Sequence, residues 1–161
     1  MSAVEARIEA LGLSLPEPLK VPKGMVLPFP WVSVRGTRVF VSGHGPQEPD
    51  GSPSGPFGQL GADVTVEQGQ TLARKVALSM LGSLKSELGD LDRITGWCRA
   101  FGMVNSAPGF DKQPLVINGF TDLIVEVFGP EIGRHTRSAV GMAGLPLNFA
   151  VEIEAEVMIE R

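Results

Sequence analysis

The sequence has little cysteine, no long apolar run and no excess of positive charge. Among its 161 residues Cys98 is the only cysteine, which excludes an internal disulfide and a zinc site built from several thiolates. No stretch approaches the ~20 apolar residues that span a bilayer, and residues 1–12 lack the apolar centre of a secretion signal. The 14 Lys and Arg against 18 Asp and Glu give a net charge of −4, which disfavours general nucleic-acid binding. These absences predict a cytoplasmic protein without a membrane or nucleic-acid partner.

Glycine and proline, in contrast, are abundant, at 20 and 13 residues. Their usual combined share is roughly 12%, and no G-X-Y period is present, so the excess predicts many turns. Hydrophobic residues are 43% and charged residues 20%, which is typical of a globular chain. The length predicts one domain over residues 1–161, in which residues 1–28 form an N-terminal helix and a proline-rich arm.

Local patterns predict seven regular elements after the arm. Helix starts are marked by capping boxes and helix ends by glycine, while strands show period-two alternation. The predicted elements are strands at 31–34 and 39–42, a helix from Thr65 to Gly89, a strand at 94–104, a helix at 115–128, and strands at 138–142 and 151–159.

The order of these elements predicts an α+β fold with a single mixed sheet. Two long amphipathic helices must cover one face of that sheet to bury their apolar stripes. In the last strand Val151, Ile153 and alternate residues are apolar, while Glu152 and Glu154 point the other way. The face with the glutamates is therefore expected to meet water or another subunit.

The C-terminal third concentrates the residues that could carry chemistry. Arg137 opens one strand and Glu152 lies on the last, so pairing of these strands through residues 144–146 would bring both side chains to one pocket. A guanidinium matches a carboxylate bidentately, and a nearby carboxylate can accept a proton from water. Exposed charges mostly carry no chemistry, so a surface arginine and a solvent-facing glutamate remain the more common explanation.

Other candidates are weaker when judged from the residues alone. Ser42 follows a strand and could bind a ligand, although turn formation explains it as well. Asn118, inside an apolar helix, is expected to be a buried hydrogen-bonding residue. His44 and His135 are far apart in sequence, so no metal site is predicted. Neither a phosphate-loop motif nor a Gly-x-Ser-x-Gly elbow is present.

The C-terminal third also carries a family resemblance. The motif is Gly133-Arg134-His135-Thr136-Arg137-Ser138-Ala139-Val140, followed by Leu145-Pro146 and Val151-Glu152-Ile153-Glu154. It resembles the RidA/YjgF family, also called the endoribonuclease L-PSP family. Residues 39–43 are similar to that family's second strand and residues 77–89 to its first long helix, so the resemblance covers about residues 29–160. The N-terminal arm and the residues of the motif are more similar to a divergent, longer branch of the family than to its best-studied members.

The resemblance implies a chorismate-mutase-like fold and a homotrimer with three clefts between subunits. It also implies hydrolysis of reactive enamines or imines, such as 2-aminoacrylate, to a 2-keto acid and ammonia. No cofactor and no metal are implied, and the partner in the cleft would be a small carboxylate metabolite. By this resemblance Arg137 would bind the substrate carboxylate and Glu152 would hold or activate water. The remaining pocket residues would be Ser42, Phe29, Asn118 and, through its backbone, Ala139.

Two departures from the family pattern keep other functions open. Ala139 stands where active deaminases of the family usually have cysteine, and Phe29 falls near the position of a pocket tyrosine, so a thiol and a hydroxyl are lost. The alternative is a non-catalytic protein that binds a keto or imino acid in the same cleft. Endoribonuclease activity is less favoured, because the chain is acidic and lacks a histidine pair for acid–base cleavage.

Overall fold

The computed structural model describes residues 2–160 and contains the elements in the predicted order. Two short 3-10 helices, Leu91–Arg93 and Pro146–Asn148, supplement them. The helices are α1 (Ala3–Ala10), α2 (Val66–Leu88) and α3 (Gln113–Gly133), and the strands are β1 (Val32–Arg35), β2 (Arg38–His44), β3 (Ile94–Asn105), β4 (Thr136–Met142) and β5 (Val151–Ile159).

Side-chain caps fix the starts of the first two helices. The Ser2 hydroxyl accepts from the amide of Glu5, and Thr65 forms a reciprocal capping box with Gln68. These bonds satisfy amides that have no partner within the helix. Gly89, at φ 79°, ends α2 as the sequence predicts, because glycine adopts the left-handed region without steric cost.

The predicted stop of the second long helix is a kink. Gly129 has φ 77° and ψ 165°, so the backbone leaves the helix there, and a further turn starts at Pro130 and reaches Gly133. Proline is tolerated in a first helical turn, where its missing amide hydrogen would have no partner. The glycine and proline therefore redirect the chain before β4, and residues 130–133 are helical rather than loop.

The five strands form one mixed sheet in the order β1-β2-β5-β3-β4. Only β3 and β4 run parallel, and the other neighbours are antiparallel. The expectation that the strands of Arg137 and Glu152 pair through residues 144–146 is wrong, because β3 lies between them. The α+β fold, with one mixed sheet and two long helices on one face, is confirmed.

Both long helices pack on one side of the sheet, here called the helix face. Ile153 and Val157 of β5 are fully buried there, together with Leu84 of α2 and Phe120 of α3. The opposite side, here called the open face, carries the glutamates of β5. None of the helices within residues 2–160 is both long enough and apolar enough to cross a membrane.

Candidate functional site

Arg137 lies on edge strand β4 and points to the helix face, against α3. Its Nη2 donates to Asn118 Oδ1 at 2.8 Å and to the Pro114 carbonyl at 3.0 Å. Its Nη1 donates to the Thr121 hydroxyl at 2.9 Å. The guanidinium is thus held by three acceptors of a single helix, and Asn118 contacts the arginine that the family resemblance places beside it.

The spacing of the acceptors explains this arrangement. Residues 114, 118 and 121 are four and three positions apart, which places them on one face of α3. Pro114 lies in the first turn, so its carbonyl is presented close to the start of the helix. Thr121 was not predicted as part of a site, although its spacing from Asn118 was visible in the sequence.

The guanidinium is half-buried and keeps donors for a ligand. Burial lowers the pKa of Arg137 and the nearby Asp122 carboxylate raises it, but an arginine in proteins stays charged. Of its five N–H groups, the one on Nε and the second on Nη1 have no acceptor within residues 2–160. Ala139, two residues further along β4, projects its side chain to the same face as Arg137.

Glu152 lies on β5 and points to the open face. Its carboxylate occupies the space that a Cβ at position 43 would fill, so glycine in β2 allows this close approach. Burial raises the pKa of Glu152, and the neighbouring carboxylate of Glu154 raises it further. Glu152 therefore holds a proton more readily than an exposed glutamate, which suits a group that exchanges protons with water.

Ser42 and Phe29 lie on the same side of the sheet as Glu152. Both line a cavity of about 460 Å³ on the open face, whose wall also includes Glu154. The Ser42 hydroxyl donates to the Pro30 carbonyl at 2.8 Å. Phe29 is 48% exposed and its ring meets that of Trp31 edge-on, so an apolar surface is presented to whatever enters.

The six predicted residues thus form two groups on opposite faces of the sheet. The Arg half consists of Arg137, Asn118 and Ala139, and the Glu half consists of Glu152, Ser42 and Phe29. The register shows the separation, because Arg137 lies in a row with Ala100 and Ala155, whereas Glu152 lies in a row with Met103 and Val140. The expectation that both charged groups approach one pocket within a chain is therefore wrong.

Comparison with known proteins identifies the family. Residues 5–156 match the sequence model of a family described as "YjgF/chorismate mutase-like, putative endoribonuclease". The chain belongs to this family. Protein TCP17 of Trypanosoma cruzi is 41% identical over 154 residues, which are 96% of this chain and 92% of TCP17.

Two solved structures extend the comparison within the family. The protein Atu1372 of Agrobacterium tumefaciens, described as of unknown function, has a TM-score of 0.87 at 38% identity, over 99% of this chain and 93% of that one. A putative endoribonuclease of Shewanella oneidensis MR-1 has a TM-score of 0.85 at 32% identity, over 97% and 99% of the two chains. The RidA/YjgF resemblance, which the C-terminal motif carries, is thereby confirmed.

The site has no evident metal centre. Within residues 2–160 no three His, Cys, Asp or Glu side chains come close enough to share a metal ion. The two halves instead contain a guanidinium with N–H groups left free by the residues that the structure describes, and a carboxyl whose pKa is raised.

Proposed function

We propose that the chain forms a homotrimer whose inter-subunit clefts hydrolyse small enamine or imine acids to 2-keto acids and ammonia. The observation that carries this proposal is the Arg137 guanidinium, which three acceptors of α3 hold while two of its N–H groups have no acceptor in the described part of the chain. Because Arg137 and Glu152 lie on opposite faces of one sheet, the proposed pocket requires two copies of the chain. A single copy presents each half alone, whereas the Arg half of one copy set against the Glu half of a neighbour completes the predicted pocket. The closed rings usual for soluble oligomers allow such a contact to repeat.

The proposed reaction uses the two charged groups in different roles. Arg137 binds the carboxylate of a 2-imino acid through charge-assisted hydrogen bonds. Glu152 of the neighbour accepts a proton from water while the water oxygen bonds to the imine carbon. Glu152 then passes this proton to the imine nitrogen, which gives a carbinolamine. The remaining hydroxyl proton moves to the nitrogen as the carbonyl forms, so the carbon–nitrogen bond breaks and ammonia and the 2-keto acid leave. Water supplies the oxygen, so the reaction needs no oxidant or cofactor.

The other four residues would shape the cleft around this chemistry. Phe29 supplies an apolar wall, and Ser42 a hydroxyl beside the Glu half. Asn118 fixes the guanidinium, as its 2.8 Å bond to Nη2 indicates. Ala139 would contact the substrate nitrogen through its backbone. The losses of a thiol and a hydroxyl at positions 139 and 29 would alter substrate choice, and the carboxylate receptor is retained.

The direct test uses an amino-acid oxidase to generate 2-imino acids in situ and measures the rate of ammonia release. The wild type is expected to accelerate release. Arg137→Ala should lower kcat/KM about 10- to 100-fold, since a hydrogen bond to a charged group contributes about 1.5–3 kcal/mol. Glu152→Gln should lower kcat by about 10²–10⁴ with a smaller effect on binding. Unchanged rates in both variants would contradict the proposed roles.

A mixing experiment tests whether two copies share each site. Arg137→Ala and Glu152→Gln subunits, each expected to be strongly impaired alone, are co-expressed with different tags and the mixed trimers are purified. A mixed trimer has one intact cleft of three, so the purified mixed trimers should recover about a third of wild-type activity. Pairing Arg137→Ala with the double variant is the control and should recover none. Verified mixed trimers without activity would rule out the shared site.

The alternative is a non-catalytic metabolite-binding protein of the same fold. Ala139 and Phe29 favour it, because both replace polar groups of the active deaminases. Calorimetric titration with 2-ketobutyrate separates the two: tight binding without any acceleration of imine hydrolysis supports the alternative.

Endoribonuclease activity, which the family description names, is tested by RNA degradation that Glu152→Gln abolishes. A cytoplasmic location stays a prediction from the sequence.

A further inference from the structure

A chain of hydrogen bonds leads from Arg137 to a residue outside the predicted site. The Thr121 hydroxyl, which accepts from Arg137 Nη1 at 2.9 Å, lies 3.1 Å from His135 Nε2. His135 Nδ1 lies 2.8 Å from the Gly133 carbonyl. The imidazole is two residues before Arg137 in sequence, yet it contacts the guanidinium through a hydroxyl of α3.

The direction of each bond follows from the chemistry of its end groups. The Gly133 carbonyl can only accept, so His135 Nδ1 carries a hydrogen. Arg137 can only donate, so the Thr121 oxygen accepts from it. The hydroxyl hydrogen of Thr121 is then free to point to Nε2, which accepts it when the imidazole is neutral. A neutral His135 thus holds the hydroxyl hydrogen away from Arg137 and leaves a lone pair of the oxygen facing the guanidinium.

The surroundings of His135 favour this neutral, oriented ring. The ring packs against those of Trp97 and Phe120, with centroids 6.3 Å and 5.9 Å away. Burial is the main cause that lowers the pKa of His135, and the positive charge of Arg137 lowers it further, although the bond to Gly133 raises it. The imidazole therefore has a fixed position, a defined tautomer and no charge near neutral pH.

We propose that His135 is a positioning residue of the Arg half: acting through the Thr121 hydroxyl, it holds the Arg137 guanidinium in the orientation that receives a substrate carboxylate. The inference rests on the proposed function for the identity of that ligand. The hydrogen-bond chain itself can be tested whether or not the protein hydrolyses imines.

Two pairs of matched variants separate the hydrogen bond from the packing. Thr121→Val removes the hydroxyl and keeps the shape, whereas Thr121→Ser keeps the hydroxyl. His135→Gln can place an amide oxygen at the position of Nε2 and accept from Thr121. His135→Asn can place its amide at the position of Nδ1, so it keeps the bond to Gly133 and loses the one to Thr121. Both histidine replacements lose similar ring contacts.

The expected signature is a change in KM without a matching change in kcat. Thr121→Val and His135→Asn should each raise KM for a 2-imino acid, and Kd for 2-ketobutyrate, about two- to tenfold, the range for one neutral hydrogen bond. Thr121→Ser and His135→Gln should keep KM and Kd near the wild-type values. Combining Thr121→Val with His135→Asn should raise KM no further than one change alone, since both break the same chain.

A spectroscopic measurement makes the test independent of turnover. Nitrogen-15 NMR of the histidine rings should find the wild-type His135 neutral, with its ring hydrogen on Nδ1. The Arg137→Ala substitution should raise the pKa of His135. Equal KM and Kd in all four single variants, with an active wild type, would refute the positioning role and leave the deaminase proposal intact. An inactive wild type would refute the deaminase proposal. The tautomer of His135 and the change of its pKa in Arg137→Ala would then be the test of the hydrogen bonds that link His135 to Arg137.

Discussion

Replacing Gly119 by alanine should destabilise the protein strongly, because this residue is where α3 touches α2. A Cβ at position 119 would overlap the backbone carbonyl oxygen of Gln70 and lie 2.8 Å and 3.0 Å from its carbonyl carbon and Cα. These are backbone atoms within α2, so the contact cannot be relieved by rotating a side chain. The two helices must move apart, and the buried residues between them then lose contacts.

The magnitude follows from two opposing effects. Overpacking of an interior costs about 1–3 kcal/mol, and an unyielding backbone neighbour puts this site at the upper end. Alanine in place of glycine returns about 1 kcal/mol of helix propensity. Gly119→Ala should therefore lower the free energy of unfolding by about 2 kcal/mol or more. Asn118 and Thr121 lie on the same helix, so the displaced α3 should also raise KM for an imino acid.

Urea unfolding followed by circular dichroism measures the change, with Gly82→Ala as the matched control. Gly82 is also a helical glycine, but a Cβ there would meet its nearest neighbour, the Pro16 carbonyl oxygen, at 3.4 Å. The control gains helix propensity without a serious overlap and should be as stable as the wild type or more stable. If Gly119→Ala matched Gly82→Ala in stability, the close approach of the two helices would be refuted.

Two further predictions concern stability. Burial lowers the pKa of His44 from 6.5 to about 4. The unfolded chain therefore binds more protons than the folded one below pH 6.5, and stability is lost as the pH falls towards 4. Between pH 7.5 and 4.5 the free energy of unfolding should fall by about 2–3 kcal/mol less in His44→Gln than in the wild type. An equal fall in both proteins would contradict a buried neutral imidazole. Leu84, fully buried against the sheet, should cost about 2–5 kcal/mol when replaced by alanine, and a loss below 1 kcal/mol in urea unfolding would contradict its place in the core.

The fold was predictable because its signals are local. The side-chain cap at Ser2, the capping box at Thr65, the glycine after α2 and the alternation of residues 151–159 each depend on a few neighbouring residues. The kink at Gly129 was recognised as a break, but not the further turn after it. Whether a helix resumes beyond a proline depends on tertiary packing, which the local pattern does not contain.

The candidate site residues come from the family resemblance, but their arrangement could not be predicted from the sequence. The resemblance named Arg137 and Glu152. The structure holds the guanidinium on three acceptors of α3, and burial raises the pKa of the Glu152 carboxyl. Their separation depends on strand order, which adjacency in sequence does not reveal. Strand β3 comes before both β4 and β5 in the chain and inserts between them, so a short connection joins strands that are not neighbours.

The same topology places the Arg half and the Glu half of the proposed site on different surfaces of one copy. Arg137 lies on β4, at the edge of the sheet, and its side chain points to the helix face. There α3 covers only part of the guanidinium, which stays half-buried and accessible. β5 is the central strand of the sheet, and the two long helices cover its helix face. A charged side chain on β5 such as Glu152 must therefore point to the open face. In the proposed trimer, a neighbour that sets its Arg half against the open face would bury Glu152 and complete one cleft. Because the contact joins two different surfaces, each copy can make it twice, once with each half, and a closed ring leaves neither half unused.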